Sequence, residues 1–313
     1  MPVFAGTDVG VVRFGRGEEV VLGCGRVTLL RRIGEELFAA AATGLYRSAD
    51  GGRSWADLEV PTEGVHSVAA SPGGDELYAG TDGVRLYRTA AGTETWREVA
   101  TERDLPESDE WETPPHHPTP RIRTVATHPD DPAWLLVGVE VGGIYVSGDR
   151  GGSWESRREG VHDDAHHVLV ESPSTSVVST GTGLYRTADG GRSWKRLDGA
   201  VPHRYLSESI GFDDALYAGI ARGPPGEWDG PDGADGLLLR FDGDDLEGER
   251  LAYPGEPDEV VTAWTVAGRT LLAGTNEGTL LEHTDDGFRA VGSVGTRIRS
   301  LASLPSESSP RTD

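Results

Sequence analysis

Three aspartates recur in one short pattern, each with a hydroxyl residue two positions before it and a tryptophan five positions after it. Repeated carboxylates could act as acid–base catalysts or as Ca²⁺ ligands. Nearby glycines favour another interpretation, because a carboxylate in a tight hairpin accepts backbone N–H groups while glycine adopts positive φ. We therefore predict structural turns, with the tryptophans filling the gaps between neighbouring sheets. The residues concerned are Ser48, Asp50, Gly52, Trp55, Ser147, Asp149, Trp154, Thr187, Asp189, Gly191 and Trp194.

Basic side chains form the second candidate site. When the β-rich runs are aligned on their Ser/Thr-Val/Leu cores, equivalent positions hold His66, Arg123, His167 and Arg299, with Arg204 close in register. Arginine forks suit carboxylate or phosphate, so these residues could form an anion pocket. The alternative is that they pair with local acids and only plug the space between the strands.

Histidines that cluster with aspartates could bind Zn²⁺ or another transition metal. His162, His166 and His167 lie with two aspartates in one predicted loop, and the pair at 116–117 lies in the preceding one. Their spacing matches no strong metal motif. We therefore expect neither a metal site nor a cofactor, and the three histidines of the first loop are only weak candidates.

The charge of the chain is extreme. Its 313 residues include 29 basic and 52 acidic ones, for a net charge of −23, and Lys195 is the only lysine. A carboxylate-rich surface stays hydrated at molar salt, where the screening length is about 3 Å. The composition is similar to that of proteins from a salt-loving archaeon; an acidic interaction domain from an ordinary organism is the alternative. Nucleic-acid binding is not expected, because it requires a basic face.

The cysteine count and the absence of a leader pattern or a long apolar run lead to expectations about the compartment and the oligomeric state. Cys24 is the only cysteine, so no disulfide can hold the fold together. The first residues contain no basic and apolar leader pattern, and no run approaches the ~18 apolar residues of a membrane-spanning helix. We expect a soluble cytoplasmic protein that does not insert into membranes and is a monomer.

The elements that position these residues are short strands in repeats of about 40 residues, the length of a propeller blade. The pattern predicts an all-β, seven-bladed β-propeller of four-stranded blades in one domain, 1–304. A C-terminal strand joins the N-terminal blade and closes the ring, and 305–313 is expected to be a disordered tail. The predicted blades are 297–304 with 2–22, then 26–60, 64–100, 121–159, 165–198, 203–253 and 259–292.

The turn around the repeated aspartates resembles the Asp-box, or BNR, repeat. That repeat is found in sialidases, sortilin-type receptors, xyloglucanases and photosystem II assembly factors. Three intact copies at matching blade positions, Ser48–Trp55, Ser147–Trp154 and Thr187–Trp194, make the resemblance specific for the propeller fold. The resemblance does not imply one activity, because hydrolases and non-enzymes share the repeat.

Strand order decides which face is functional. If the first strand of each blade is innermost, the loops before it and after the second strand emerge on one face, the top. Both long insertions, 101–120 with Trp111 and 221–236 with Trp228, belong to those loops. Exposed tryptophans on elaborated loops favour binding there, although solvated loops are an alternative. The aspartate turns belong to the opposite face.

We therefore predict a non-enzymatic scaffold that binds another protein or a small anion through its top face. The alternative is a glycoside hydrolase that uses the top-face carboxylates Asp8, Asp82 and Glu140, with Trp111 and Trp228 stacking on sugar. Sialidase chemistry, as the resemblance implies it, expects an early Arg-Ile-Pro stretch, which is missing here. Photosystem assembly factors match better in size and blade count, but they normally carry an export signal.

Overall fold

The computed structural model describes residues 1–15, 17–93, 95–111, 119–199, 201–228, 230, 233–242, 247–252, 254–255 and 258–305. The histidine pair at 116–117 lies outside these residues. The tail predicted to be disordered, 305–313, also lies outside them apart from Pro305.

Regular structure in the described ranges consists of 28 β-strands and three short 3₁₀ turns. None of these residues belongs to a helix long and apolar enough to cross a membrane. The strands are β1 (Val3–Thr7), β2 (Val11–Phe14), β3 (Glu18–Leu22), β4 (Val27–Ile33), β5 (Glu36–Ala41), β6 (Gly44–Ser48), β7 (Ala56–Asp57), β8 (Val65–Ala70), β9 (Glu76–Thr81), β10 (Arg85–Ala90), β11 (Arg97–Ala100), β12 (Arg121–Thr127), β13 (Leu135–Glu140), β14 (Gly143–Ser147), β15 (Glu155–Ser156), β16 (Ala165–Val170), β17 (Ser176–Thr180), β18 (Gly183–Thr187), β19 (Lys195–Arg196), β20 (Tyr205–Phe212), β21 (Ala215–Ala221), β22 (Leu237–Asp242), β23 (Glu247–Leu251), β24 (Val261–Ala267), β25 (Thr270–Thr275), β26 (Thr279–Thr284), β27 (Gly287–Ser293) and β28 (Ile298–Ser303).

The strands form seven four-stranded antiparallel sheets. Six are meanders of consecutive strands, β4 to β7 through β24 to β27. The seventh has the order β28-β1-β2-β3, so the C-terminal strand pairs with the N-terminal one, with Phe4 opposite Ala302. The first strands of successive sheets contact one another around the ring. The predicted seven-bladed propeller, closed by the C-terminal strand, is confirmed, and closure leaves no open edge at the seam.

Every blade is buried on both faces, which explains why its inner strands are apolar without interruption. In β5, Leu37, Ala39 and Ala41 pack with the closing blade, while Phe38 and Ala40 pack with the blade of β8. Alternate side chains of a strand point to opposite faces, so a strand between two neighbours needs apolar residues at every position.

Two second strands carry glycine where the next blade comes closest. A Cβ on Gly80 would lie 2.9 Å from the carbonyl oxygen of Ile122, and one on Gly219 would lie 2.2 Å from that of Val261. Any side chain there would push neighbouring blades apart. These glycines therefore set the blade spacing around the channel.

The three aspartate turns share one set of hydrogen bonds. In the turn between β6 and β7, Ser48 Oγ donates to Asp50 Oδ1 at 2.9 Å and accepts the Gly52 N–H at 2.8 Å. Ser54 donates its N–H to Oδ1 at 2.9 Å and its Oγ to Oδ2 at 2.6 Å. These bonds stabilise the charged carboxylate and lower the pKa of Asp50 to about 2. The same bonds surround Asp149 and Asp189.

Each tryptophan that follows a turn packs on the preceding blade. Trp55 packs with Phe4 and Val11 of the closing blade. Trp154 is 7% exposed and packs with Leu86 and Val99. The Nε1–H of Trp194 donates to the Arg157 carbonyl at 2.8 Å. In each of these three blades, the tryptophan therefore connects the aspartate turn to the preceding blade.

Candidate functional site

Each innermost strand carries a β-bulge near its start, and the bulge determines which side chain enters the channel. Pairing with the second strand skips one residue in six of the seven innermost strands and two residues in β20. A bulge re-aims the skipped side chain. All of these side chains line the central channel: Thr28, His66, Arg123, His166, Ser207, Glu208, Thr262 and Arg299.

The predicted equivalence of His66, Arg123 and Arg299 agrees with this register, but His167 was placed wrongly. In β16, Ala165 pairs with Thr180 and His167 with Ser179, so the skipped residue is His166. His167 lies one position further along the strand. An alignment of apolar runs cannot count the extra residue of a bulge.

The placement of Arg204 close to that register is also wrong. Arg204 precedes β20, and its N–H donates to the Ala221 carbonyl at 3.0 Å. Its side chain is exposed and does not line the channel. Tyr205 and the two bulge residues of β20 line it instead.

The channel opens on the top face into a cavity of about 880 Å³, which we call the mouth. It is formed by the starts of innermost strands and by loops that follow second strands. Its charged lining residues are Arg26, Glu63, His66, Asp82, Arg121, Arg123, Glu140, Asp164, His166, Glu227, Arg297 and Arg299.

Most of the predicted basic residues have acidic partners. Arg299 Nε donates to Asp8 Oδ1 at 2.6 Å, and His66 Nε2 donates to Asp82 Oδ1 at 2.7 Å. Arg123 Nε lies 3.6 Å from a Glu140 oxygen. These basic side chains therefore pair with nearby acidic residues, as the alternative interpretation of the sequence expected. They still line the mouth or the channel below it. The three carboxylates of the hydrolase alternative are the partners in these pairs.

Glu140 belongs to a buried cluster of charges. Arg121 Nη2 donates to its Oε1 at 3.2 Å. Burial by itself would raise the pKa of Glu140, but the charges of Arg123, His166 and Arg121 lower it overall. Glu140 is therefore ionised at neutral pH.

His166 completes that cluster. Its Nδ1–H donates to the Leu206 carbonyl at 2.6 Å, and its Nε2 lies 3.3 Å from Asp164 Oδ1. Burial opposes protonation, yet the Asp164 carboxylate raises the pKa of His166 overall. Ligand atoms of Glu140, Asp164 and His166 lie within 4.8 Å of one another, a spacing suited to a metal ion. Because Arg121 and Arg123 place positive charge beside it, we assign no metal there.

The other two weak metal candidates lie elsewhere. His162 Nδ1 is 3.5 Å from Asp163 Oδ1, and neither of these two residues lines the mouth or the channel. His167 lies inside the channel, where its Nε2 is 3.7 Å from Glu208 Oε1. The structure therefore does not bring the three histidines together around one point.

Arg297 is a cation that the sequence did not single out. Its guanidinium carbon lies 5.1 Å from the ring centroid of Trp228, and it makes no hydrogen bond or ion pair with any described residue. Burial and the charge of Arg299 both lower its pKa from the ordinary arginine value. It lines the mouth and the channel below it. It immediately precedes β28, two positions before the bulge residue Arg299.

The two tryptophans predicted to bind a ligand make contacts within the protein instead. Trp228 is 4% exposed, donates its Nε1–H to the Gly223 carbonyl at 2.8 Å and carries Arg297 over its ring. Trp111 donates its Nε1–H to Tyr145 Oη at 2.8 Å and does not line the mouth. Trp228 is buried and Trp111 is partly buried, so neither is the exposed ligand contact that the sequence predicted.

Below the mouth the channel narrows to a cavity of about 80 Å³, which we call the throat. Arg31 and Glu208 line both it and a further cavity of about 280 Å³ towards the bottom. Glu208 Oε2 accepts the Trp264 N–H at 3.2 Å. Burial raises the pKa of Glu208 to about 7 and lowers that of His167 to about 3. At neutral pH, His167 is therefore uncharged and Glu208 is only partly ionised.

Sequence reasoning named Asp164 only as a neighbour of the loop histidines. It missed Arg26, Arg31, Arg121, Tyr205, Glu208 and Arg297. Glu208 is one of the two residues skipped by the bulge of β20, which no sequence pattern indicated. The others lie on innermost strands or directly before them, so their place in the mouth or the throat depends on how the blades meet at the channel.

No family model matches the chain. Photosystem II assembly protein Ycf48 from Synechococcus sp. (strain JA-3-3Ab) is 26% identical over 184 residues, which are 56% of this chain and 50% of that protein. The chain thus spans about half the length of the curated relatives it matches.

Solved structures with the same architecture include enzymes and binding proteins. The GH74 xyloglucanase from Xanthomonas campestris superposes with a TM-score of 0.64 at 20% identity, over 85% of this chain and 45% of the enzyme. YCF48 bound to D1 peptide superposes with a TM-score of 0.58 at 15% identity, over 84% of this chain and 81% of that one. Likeness at this level of identity supports the propeller fold.

Proposed function

We propose that this propeller is a non-enzymatic scaffold that binds a segment of a partner protein in the mouth. The observation that carries the proposal is the convergence of five arginines on one cavity, where Arg297 has no acidic partner among the described residues. Guanidinium groups pair with carboxylates through two parallel hydrogen bonds. The recognised segment is therefore one that presents a carboxylate.

The dimensions of the mouth support a peptide rather than a single ion. Its volume of about 880 Å³ is at the upper end of the range of about 300–1,000 Å³ typical of ligand pockets. Both signs of charge line it, with Glu140 and Asp164 on adjacent blades and Arg297 and Arg299 on the closing one. A segment with several polar groups can contact both regions, whereas a small anion would use only one.

Relatives with this architecture support the proposal by analogy. One of the superposing structures is YCF48 bound to D1 peptide, and the sequence match is to a photosystem II assembly protein. What those proteins bind does not name the partner of this chain. The analogy supports the kind of interaction, a propeller that holds a peptide.

Affinity purification with tagged variants tests the proposal. Arg123→Ala combined with Arg299→Ala removes two mouth cations, and we expect partner recovery to fall about tenfold or more. Arg192→Ala is the matched control, because Arg192 is exposed on an aspartate turn, where it donates to the Asp189 carbonyl. An unchanged partner set in the double variant, with unchanged thermal stability, would refute binding through the mouth.

A glycoside hydrolase is the second candidate, favoured by the superposition with the GH74 xyloglucanase. The carboxylates Asp82 and Glu140 line the mouth and Asp8 is bonded to Arg299 beside it. Incubation with a panel of chromogenic glycosides decides between the two functions. Turnover that Asp82→Asn or Glu140→Gln abolishes would replace the scaffold proposal.

A further inference from the structure

The throat differs from the mouth in its charge. Five arginines and five carboxylates line the mouth, so their formal charges balance. Four arginines, three histidines and a single carboxyl group, Glu208, line the throat. Because burial raises the pKa of Glu208 to about 7, that group offsets less than one arginine charge at neutral pH. Two of the four arginines are already paired with carboxylates outside the throat, so its excess positive charge comes from Arg31 and Arg297.

Two of its arginines retain unused donors. Arg31 donates to the Val68 carbonyl at 2.9 Å and forms no ion pair with the described residues. Arg297 lies over Trp228 and bonds to none of them. A guanidinium group has five N–H donors, so both side chains can bond to a further acceptor.

The throat also offers a buried acceptor on His66. His66 is 7% exposed, and its Nε2 bonds to Asp82 Oδ1 at 2.7 Å. Burial lowers the pKa of His66, so the ring is neutral and carries one proton. A carboxylate only accepts hydrogen bonds, so that proton is on Nε2 and Nδ1 keeps a lone pair. That Nδ1 is buried and has no partner in the described chain. A ligand O–H directed at it would satisfy the atom.

These groups match one kind of ligand. Several donors and positive charge suit a small oxyanion, and the His66 acceptor suits an oxyanion that retains a proton. Monohydrogen phosphate has such a proton at neutral pH, whereas sulfate does not. The throat volume of about 80 Å³ is several times the roughly 10–15 Å³ that one water needs, which is enough for a tetrahedral ion.

We propose that the throat binds inorganic phosphate, with Arg31 and Arg297 donating to its oxygens and His66 Nδ1 accepting its hydroxyl. This site goes beyond the proposed protein binding, because Arg31 and His167 line the throat and not the mouth. The two sites share Arg123, Arg297 and Arg299, so phosphate and a partner segment can be bound one above the other.

Titration calorimetry of the full chain at pH 7 and constant ionic strength tests the site. We expect saturable binding of one phosphate per chain, with sulfate at least about tenfold weaker and chloride weaker still. Absence of saturable phosphate binding at millimolar concentration would refute the proposal. Equal affinity for sulfate would refute the role of His66, and the assignment of phosphate with it.

Substitutions locate the binding. Arg31→Met and Arg297→Gln should each weaken phosphate binding about tenfold or more. Arg26→Ala is the matched control, because Arg26 lines only the mouth and its side chain is 58% exposed. Equal weakening by Arg26→Ala would show diffuse attraction and contradict the site. Should Arg31→Met unfold the chain, Arg297→Gln, with a half-buried side chain, carries the test.

The same variants separate this proposal from the proposed function. Arg31→Met should lose phosphate and keep the partner protein, whereas Arg26→Ala should keep phosphate and weaken the partner. Phosphate binding without partner binding would refute only the scaffold proposal, and the converse result would refute only the throat site.

Discussion

The two faces of the propeller differ in how far equivalent positions of successive blades carry the same residues. On the bottom face, the turns around Asp50, Asp149 and Asp189 repeat the same hydrogen bonds in three blades. On the top side, the bulge positions of the seven innermost strands are equivalent in geometry but differ in residue type, as Thr28, His66 and Arg123 illustrate. Repeated chemistry at equivalent positions stabilises the blades, and varied chemistry at equivalent positions creates a site. Substitutions on the bottom face should therefore affect stability, and those on the top face should affect binding.

The largest effect is expected at the tryptophans behind the turns. Trp154→Ala should lower the free energy of unfolding by about 3–5 kcal/mol, because it leaves a cavity between two blades. Urea denaturation followed by intrinsic fluorescence measures it. Trp111→Ala is the control on the top side, where the ring is only partly buried. Equal losses for both would show that the faces do not differ in this respect.

Inside the channel, the stability conferred by Glu208 should depend on pH. Its folded pKa of about 7 lies above the ordinary 4.5, so the folded chain holds a proton that the unfolded chain releases. Stability from this group is full below about pH 4.5 and is lost as the pH rises to about 7, by roughly 3 kcal/mol. His167, with its lowered pKa, opposes this trend between about pH 3 and 6.5.

Glu208→Gln isolates the carboxyl group in that experiment. The variant should unfold with a stability that no longer falls between pH 4.5 and 7, measured by denaturation at several pH values. Identical pH profiles for the wild type and the variant would mean that Glu208 titrates normally.

A smaller effect is expected at the hydroxyl residues of the turns. Ser147 is 1% exposed, and its Oγ both donates to Asp149 and accepts the Gly151 N–H. Ser147→Ala should cost about 1–3 kcal/mol, because it leaves a buried N–H without a partner. Ser153→Ala removes one exposed donor to the same carboxylate and should cost less. The reverse order would show that the carboxylate, not the hydroxyl, organises the turn.

The smallest stability effect should accompany the largest binding effect. Arg299→Ala removes a partly exposed ion pair with Asp8, worth about 1 kcal/mol or less. Partner recovery should nevertheless fall, because Arg299 is one of the two mouth cations that the double variant removes. A thermal unfolding scan beside the pull-down measures both quantities. A large loss of stability with binding retained would break the contrast between the faces.

Much of the fold could be predicted because its repeats are local. Residues such as Ser48, Asp50 and Trp55 occupy one turn, and their spacing alone indicates the hairpin. The site was harder to predict, since Arg297 and Trp228 are 69 positions apart and meet only after the ring closes. His167 shows that prediction can fail within a single strand. One extra residue in a bulge moves every following side chain to the other face, and the sequence pattern does not reveal the bulge.

The sequence by itself determined the number of blades, the closure of the ring and the face on which the insertions lie. All three follow from the order and period of short-range patterns along the chain. Only the tertiary structure decided which charges are paired, which tryptophans are buried and where the channel narrows. Those properties depend on side chains from different blades meeting at one axis, where distance and burial, not residue type, set the electrostatic free energy.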